Sequence, residues 1–215
     1  MIITKKKQFD EIKKHLSGEK SVFIMGCGEC STTCKTGGEP EVLEMKSLLE
    51  KSGIEVTGHV IPDAPCVASK VRVAMAKNKK AIDQADSILI LACGLGAQSV
   101  KDNLFADKTI HIGCDTVFMG QVAKNGEFFE RCSACGECRL ELTDMICPVT
   151  RCAKGLLNGP CGGQKKGKCE VDPERDCVWI VIYEALKKKN KLHLLSQITP
   201  PKNHSKSNKP RYAKV

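Results

Sequence analysis

SVFIMGCGECSTTCKTGG (residues 21–38) sets the architecture. Its first six residues are mostly apolar and end in glycine, the pattern of a short buried strand, and a cysteine follows at once. After Gly37-Gly38, Pro40 stands near a first helical position, Val42, Met45 and Leu49 recur at helical spacing, and Gly53 lies just past the end. IEVTGHVI (54–61) reads as a second strand and residues 66–84 as helix. SILILA (87–92) is a third strand, a helix follows from about Ala97, and TIHIG (109–113) is a fourth strand. Strands alternating with helices predict an α/β fold: a small doubly wound, flavodoxin-like parallel sheet with helices on both faces. VFMGQVAKNGEFFE predicts a hairpin about Asn125-Gly126. Upstream, residues 1–20 read as one short amphipathic helix carrying Phe9, Ile12 and Leu16. From Cys132 the pattern dissolves into a loop-dominated, Cys-, Gly- and Pro-rich stretch, closing on a helix from Asp172-Pro173 that carries Trp179, Ile182 and Leu186. The expected division is an N-terminal helix (1–20), an α/β domain (21–127), a cysteine-rich module with its closing helix (128–195) and a tail (196–215).

Fourteen of the 215 residues are cysteine, while aromatics reach only 4%. The opening MIITKKKQFDEIKKHL has no apolar run of signal-peptide length, and no stretch approaches the roughly 18–20 apolar residues of a membrane helix. The expectation is a cytoplasmic protein without membrane insertion, in a reducing compartment where structural disulfides are rare. The cysteines then read as metal ligands. The net charge of +9 does not signal nucleic acid, because nine of the basic residues fall after Leu186 with no acidic residue among them. Residues 1–186 are formally neutral, and PPKNHSKSNKPRYAKV has too few large apolar residues to offset ordering entropy, so the tail is expected to be disordered. Scarce aromatics also argue against base stacking.

In an open parallel sheet the strand carboxyl ends share one edge, where ligands bind. Cys27 follows the first strand, with Cys30 and Cys34 in the same loop; Cys66 follows the second after a PDAP turn; Cys93 ends the third and Cys114 the fourth. A four-iron cluster needs four thiolates, of which C-x-x-C-x-x-x-C supplies three, and Cys93 or Cys66 is expected as the fourth. Cys66, Cys93 and Cys114 also suit the plainer role of small buried apolar residues. Gly26-Cys27-Gly28 and Gly94-Leu95-Gly96 do not complete a dinucleotide fingerprint, and His59 and His111, within strands, read as core or edge histidines.

Eight cysteines fall between positions 132 and 177: Cys132, Cys135, Cys138, Cys147, Cys152, Cys161, Cys169 and Cys177. Eight is the thiolate count of two four-iron clusters, and C-x-x-C-x-x-C is a ferredoxin-type opening. The eight-residue gap from Cys138 to Cys147 leaves the partition open. One division joins Cys132, Cys135 and Cys138 to Cys177 and leaves Cys147, Cys152, Cys161 and Cys169 for the other site. Zinc held by four thiolates is the alternative, at one site or both. No paired-carboxylate or Ser/His/Asp arrangement points to acid–base or nucleophilic catalysis.

CPVTRCAKGLLNGPCGGQKKGKCEVDPERDC (147–177), with CSACGEC (132–138) before it, resembles the cysteine-rich C-terminal domain family of methylenetetrahydrofolate reductases. The GCGEC-x-x-x-C loop is similar to that of the family's small subunit, extending the resemblance over about residues 20–195. The resemblance implies a subunit with two or three [4Fe-4S] clusters that exchanges electrons with a flavin on the catalytic methylenetetrahydrofolate reductase subunit, leaving room for further redox subunits. The family's flavin and folate sites lie on a barrel that this chain lacks. The competing function is a zinc-stabilised scaffold that orients a catalytic partner without carrying electrons.

Overall fold

The computed structural model describes residues 1–214. The chain divides into two units, Met1–Phe118 and a second beginning at Met119. At the centre of the first unit are four strands, β2 (Ser21–Met25), β3 (Glu55–Val60), β4 (Ser87–Ile90) and β5 (Thr109–Ile112), all parallel and ordered β3-β2-β4-β5. Every residue of β2 and of β4 is buried, as strands covered on both faces must be. The two-residue period divides their side chains between two cores. Val22 and Ile24 face Ile12 of α1 (Phe9–His15), Leu16 at its C-cap, and Val42, Met45 and Leu49 of α3 (Glu39–Lys51). Phe23 and Met25 face Val71 and Met75 of α4 (Ala68–Lys77), Ile82 of α5 (Lys79–Gln84), and Ala97 and Val100 of α6 (Gly94–Asn103). Helices on both faces and a strand order that reverses between β2 and β4 make this a doubly wound sheet.

α3 starts and stops as its sequence requires. Pro40 lies in the first turn, the Glu41 carboxylate accepts from the Gly38 N–H at 3.0 Å, and Gly53 follows with φ +88°. The opening segment differs from expectation: residues 2–6 form strand β1 (Ile2–Lys6), and only 9–15 form the helix that carries Phe9 and Ile12. The β-branched run Ile2-Ile3-Thr4 explains the strand, with Ile3 and Thr4 both buried. The helix expected over 66–84 breaks at Asn78, whose side-chain N–H donates to the Ala74 carbonyl at 2.9 Å.

The anticipated hairpin forms between β6 (Cys114–Val122) and β7 (Phe128–Cys132), turning at Gly126 with φ +83°. β6 begins directly after β5, and the division between the units falls within it rather than at residue 127. The closing helix starts later than its sequence indicated, as α8 (Val178–Lys188) with Cys177 as N-cap. Asp172 holds a turn instead: its side chain accepts from Glu174 N–H and its carbonyl from Arg175 N–H. Around α8 a small core gathers Val178, Trp179, Ile182 and Leu186 with Ile146, Leu156 and Leu194. Beyond it, residues 199–211, expected to be disordered, follow the loop around residues 134–139, held by polar bonds to it. A count of apolar residues could not register that anchoring.

Candidate metal centre

The two strands beside the order reversal each end in a cysteine. Cys27 follows β2 by two residues, and Cys93 is the N-cap of α6 beyond β4; both are buried, at 4% and 6% exposure. The crevice at such a reversal is where doubly wound sheets bind ligands. Cys30 opens the short helix α2 (Cys30–Thr33), and Cys66 comes from the loop after β3. The Cys66 thiol is pushed above its ordinary pKa, first by burial and then by Cys93, Cys27 and Cys30, so these four sulfurs share one neighbourhood. Both residues expected to compete as fourth ligand, Cys66 and Cys93, are therefore present together.

Cys34 is the C-cap of α2, one turn on from Cys30, and its N–H donates to the Cys30 carbonyl at 3.0 Å. Its Sγ contacts the Ile2 carbonyl at 3.9 Å, toward β1, and its thiol neighbour is Cys114. The Cys114 Sγ–H points to the Thr36 carbonyl at 3.5 Å, and burial pushes this thiol up to about 12. Cys34 thus touches β1 while remaining in the turn of Cys30. Backbone packing fixes the loop: the Thr36 and Gly37 N–H groups both donate to the Ser31 carbonyl, Cys27 N–H donates to the Gly37 carbonyl at 2.9 Å, and Thr32 Oγ1 donates to the Cys27 carbonyl at 2.7 Å. A Cβ at Gly37 would lie 1.7 Å from the Leu91 carbonyl oxygen, and one at Gly26 would lie 2.4 Å from the Gly37 carbonyl oxygen. Gly26 therefore serves close packing between strand and loop rather than a phosphate.

In the second unit, Cys152, Cys161, Cys169 and Cys177 line a single cavity of about 20 Å³, together with Trp179 and the Lys154–Glu170 ion pair. The Cys177 N–H donates to the Gly167 carbonyl at 2.7 Å and the Cys169 N–H to the Arg175 carbonyl at 2.9 Å, which folds residues 167–177 back on themselves. Cys132, Cys135 and Cys138 lie in the loop after β7, where the Ala134 N–H points to Cys132 Sγ at 3.3 Å. Cys147 precedes α7 (Pro148–Arg151), which packs against β7, the strand that ends at Cys132. The division drawn from spacing joined Cys177 to Cys132, Cys135 and Cys138; in the structure Cys177 lines the cavity with Cys152, Cys161 and Cys169. The turn at Asp172, unseen in the sequence, brings Cys177 back.

Among the described residues no group of three or more His, Cys, Asp or Glu side chains is drawn together tightly enough to hold a single metal ion. Four sulfurs around one zinc sit ~3.8 Å apart, given Zn–S bonds of ~2.3 Å. A cuboid of four irons and four sulfides spreads its thiolates more widely, and an all-thiol donor set at a partly buried rim suits it. His111 joins none of the sets and faces Glu19 at 3.4 Å. Sequence reasoning missed Lys202, which lies against Cys135. Burial raises that thiol, but the backbone at Glu137 and the Lys202 ammonium outweigh it and hold the pKa below its ordinary value. The 66 intervening positions carried no signal of this contact.

Residues 111–205 match the family described as methylene-tetrahydrofolate reductase C terminal. The match takes in all eight cysteines of the second unit, and the loop of Cys27, Cys30 and Cys34 lies outside it. No curated protein and no solved structure matches the chain.

Proposed function

We propose, with the membership of residues 111–205 in the methylene-tetrahydrofolate reductase C-terminal family as premise, that the chain is an iron–sulfur electron-transfer subunit. It passes electrons to or from a flavin on a catalytic reductase partner. The observation that carries this reading is that Cys152, Cys161, Cys169 and Cys177 line one cavity, with Cys66 lying near Cys27, Cys30 and Cys93 at the sheet rim; the reading assigns Cys132, Cys135, Cys138 and Cys147 to a third set. Bound there, four-iron clusters supply one-electron steps.

The chain's own residues place and shield the sulfurs. Cys27 and Cys93 are buried in the first set and Cys177 in the last, which keeps water from part of those two. Glycine-tight packing holds the first loop against the sheet. Among the described residues no helix is long and apolar enough to cross a membrane.

The competing reading is zinc held by four thiolates at one or more of the sets, stabilising the fold without carrying electrons. Oxygen-free isolation followed by iron, acid-labile sulfide and zinc analysis separates these readings. The expected product is brown, contains iron and sulfide, and co-purifies with a flavin-bearing partner whose flavin it reduces or oxidises. A colourless chain devoid of iron overturns the proposal.

A further inference from the structure

The loop that carries Cys132, Cys135 and Cys138 is overlaid by the end of the chain. Both side-chain ends of Asn158 bind Thr199: its N–H donates to the Thr199 carbonyl at 2.9 Å, and its oxygen accepts from Thr199 N–H at 2.7 Å. Four residues on, the Glu137 carboxylate accepts from Asn203 N–H at 3.1 Å and from Lys206 Nζ at 3.4 Å. Arg211 closes the run by donating to the Ala134 carbonyl. At Gly136, with φ +79°, a Cβ would stand 2.7 Å from the Lys206 carbonyl oxygen, so the tail backbone rests directly on the loop backbone. Within this run Lys202 lies against Cys135.

A merely solubilising tail would have no reason to pair both ends of one amide and both oxygens of one carboxylate with its own residues. Glu137 is the point of attachment because it supplies negative charge within the loop, whereas residues 187–215 contain no acidic residue. Asn203 N–H first, then Lys206, holds the Glu137 carboxyl below the usual carboxylate range. The family match also runs on to residue 205, past Lys202.

We propose that residues 199–211 form a fixed cover over the Cys132–Cys138 loop, and that Lys202 sets how readily the adjoining thiolate set accepts an electron. The cover stands on the contacts alone; the role of Lys202 rests on the electron-transfer reading above. Four thiolates make a cluster site anionic, and each added electron makes it more so. A cation held at one sulfur therefore favours the reduced form by Coulomb attraction.

Two measurements on anaerobically isolated protein test this. In hydrogen–deuterium exchange, truncation after Ile198 is expected to speed the amides of residues 132–140 by about tenfold or more, with strands β2 and β4 unchanged. The full-length Lys206→Glu/Arg211→Ala variant is expected to give a smaller increase in the same amides, and it covers the case in which the truncated chain folds poorly. This arm needs no metal, so it reads the cover even if the iron–sulfur reading fails. In redox titration, Lys202→Glu is expected to shift the cluster equilibrium about tenfold toward the oxidised form, about 59 mV downward for one electron, while Lys202→Arg retains the wild-type midpoint. Unchanged exchange in both tail variants overturns the cover. An unchanged midpoint in Lys202→Glu at full iron content overturns the role of the charge.

Discussion

Cys27 and Cys93 end neighbouring parallel strands on either side of the point where the sheet's order reverses, and both sulfurs are buried. The sheet therefore brings residues 66 positions apart in sequence to one crevice. Cys34, by contrast, contacts the Ile2 carbonyl of β1 at 3.9 Å, on the side of Cys114.

That contrast separates Cys34 from Cys66. Cys66→Ala, Cys27→Ala and Cys93→Ala are each expected to lose one cluster's share of iron and sulfide. Cys34→Ala is expected to keep it. Iron and sulfide per chain after oxygen-free isolation decide the matter; equal losses in Cys34→Ala and Cys66→Ala would restore the loop triplet as the ligand core.

The second unit gives a paired test. Cys177→Ala and Cys161→Ala are expected to remove the same metal and leave the same residual spectrum, since both residues line one cavity. Cys147→Ala and Cys135→Ala should form a second matching pair. Electron paramagnetic resonance of the reduced variants distinguishes this grouping from one that joins Cys177 to Cys135.

Much of this was legible from residue order alone. Fully apolar runs such as SVFIM and SILI identify strands covered on both faces, and the place of Cys27 or Cys93 after such a run assigns it to the rim. What escaped depends on contacts distant in sequence or on a single turn. Cys34 and Cys30 sit in one loop, and the contact of Cys34 with Ile2 depends on strand β1, which the sequence pattern reads as helix. Cys177 returns to Cys152 through the Asp172 turn, which no spacing rule encodes. The tail's anchors are polar, so an apolar count leaves them out.

Gly37→Ala tests the rigidity of the first loop. Its Cβ would lie 1.7 Å from the Leu91 carbonyl oxygen, a backbone atom that cannot swing aside. Overpacking of this kind costs about 3 kcal/mol. At roughly 2–4 °C per kcal/mol for a chain of this size, Tm should fall by about 6–12 °C, and iron retention at the Cys27 set should fall with it. An unchanged Tm would show that the loop yields without cost.

Cys114 makes stability depend on alkaline pH. Its folded-state pKa of about 12 lies above the ordinary thiol value, with burial as the main cause. Below the unfolded pKa of about 8.5 the thiol is protonated in both states and its contribution is fully present. Between there and about 12 the unfolded chain sheds a proton that the folded chain keeps, so stability falls as pH rises, by an amount on the order of 4 kcal/mol over the whole window. Urea unfolding at pH 8 and pH 10.5 should show a steeper decline for the wild type than for Cys114→Ala. Parallel declines would mean that the thiol titrates alike in both states.

The four cysteines from 132 to 147 and the four from 152 to 177 occupy successive stretches that do not interleave. On the proposed grouping, a nascent chain leaving the ribosome would present one quartet of thiols before any member of the next appears. Metallation would then proceed in order along the polypeptide, with the quartets spared from competing for each other's sulfurs during synthesis.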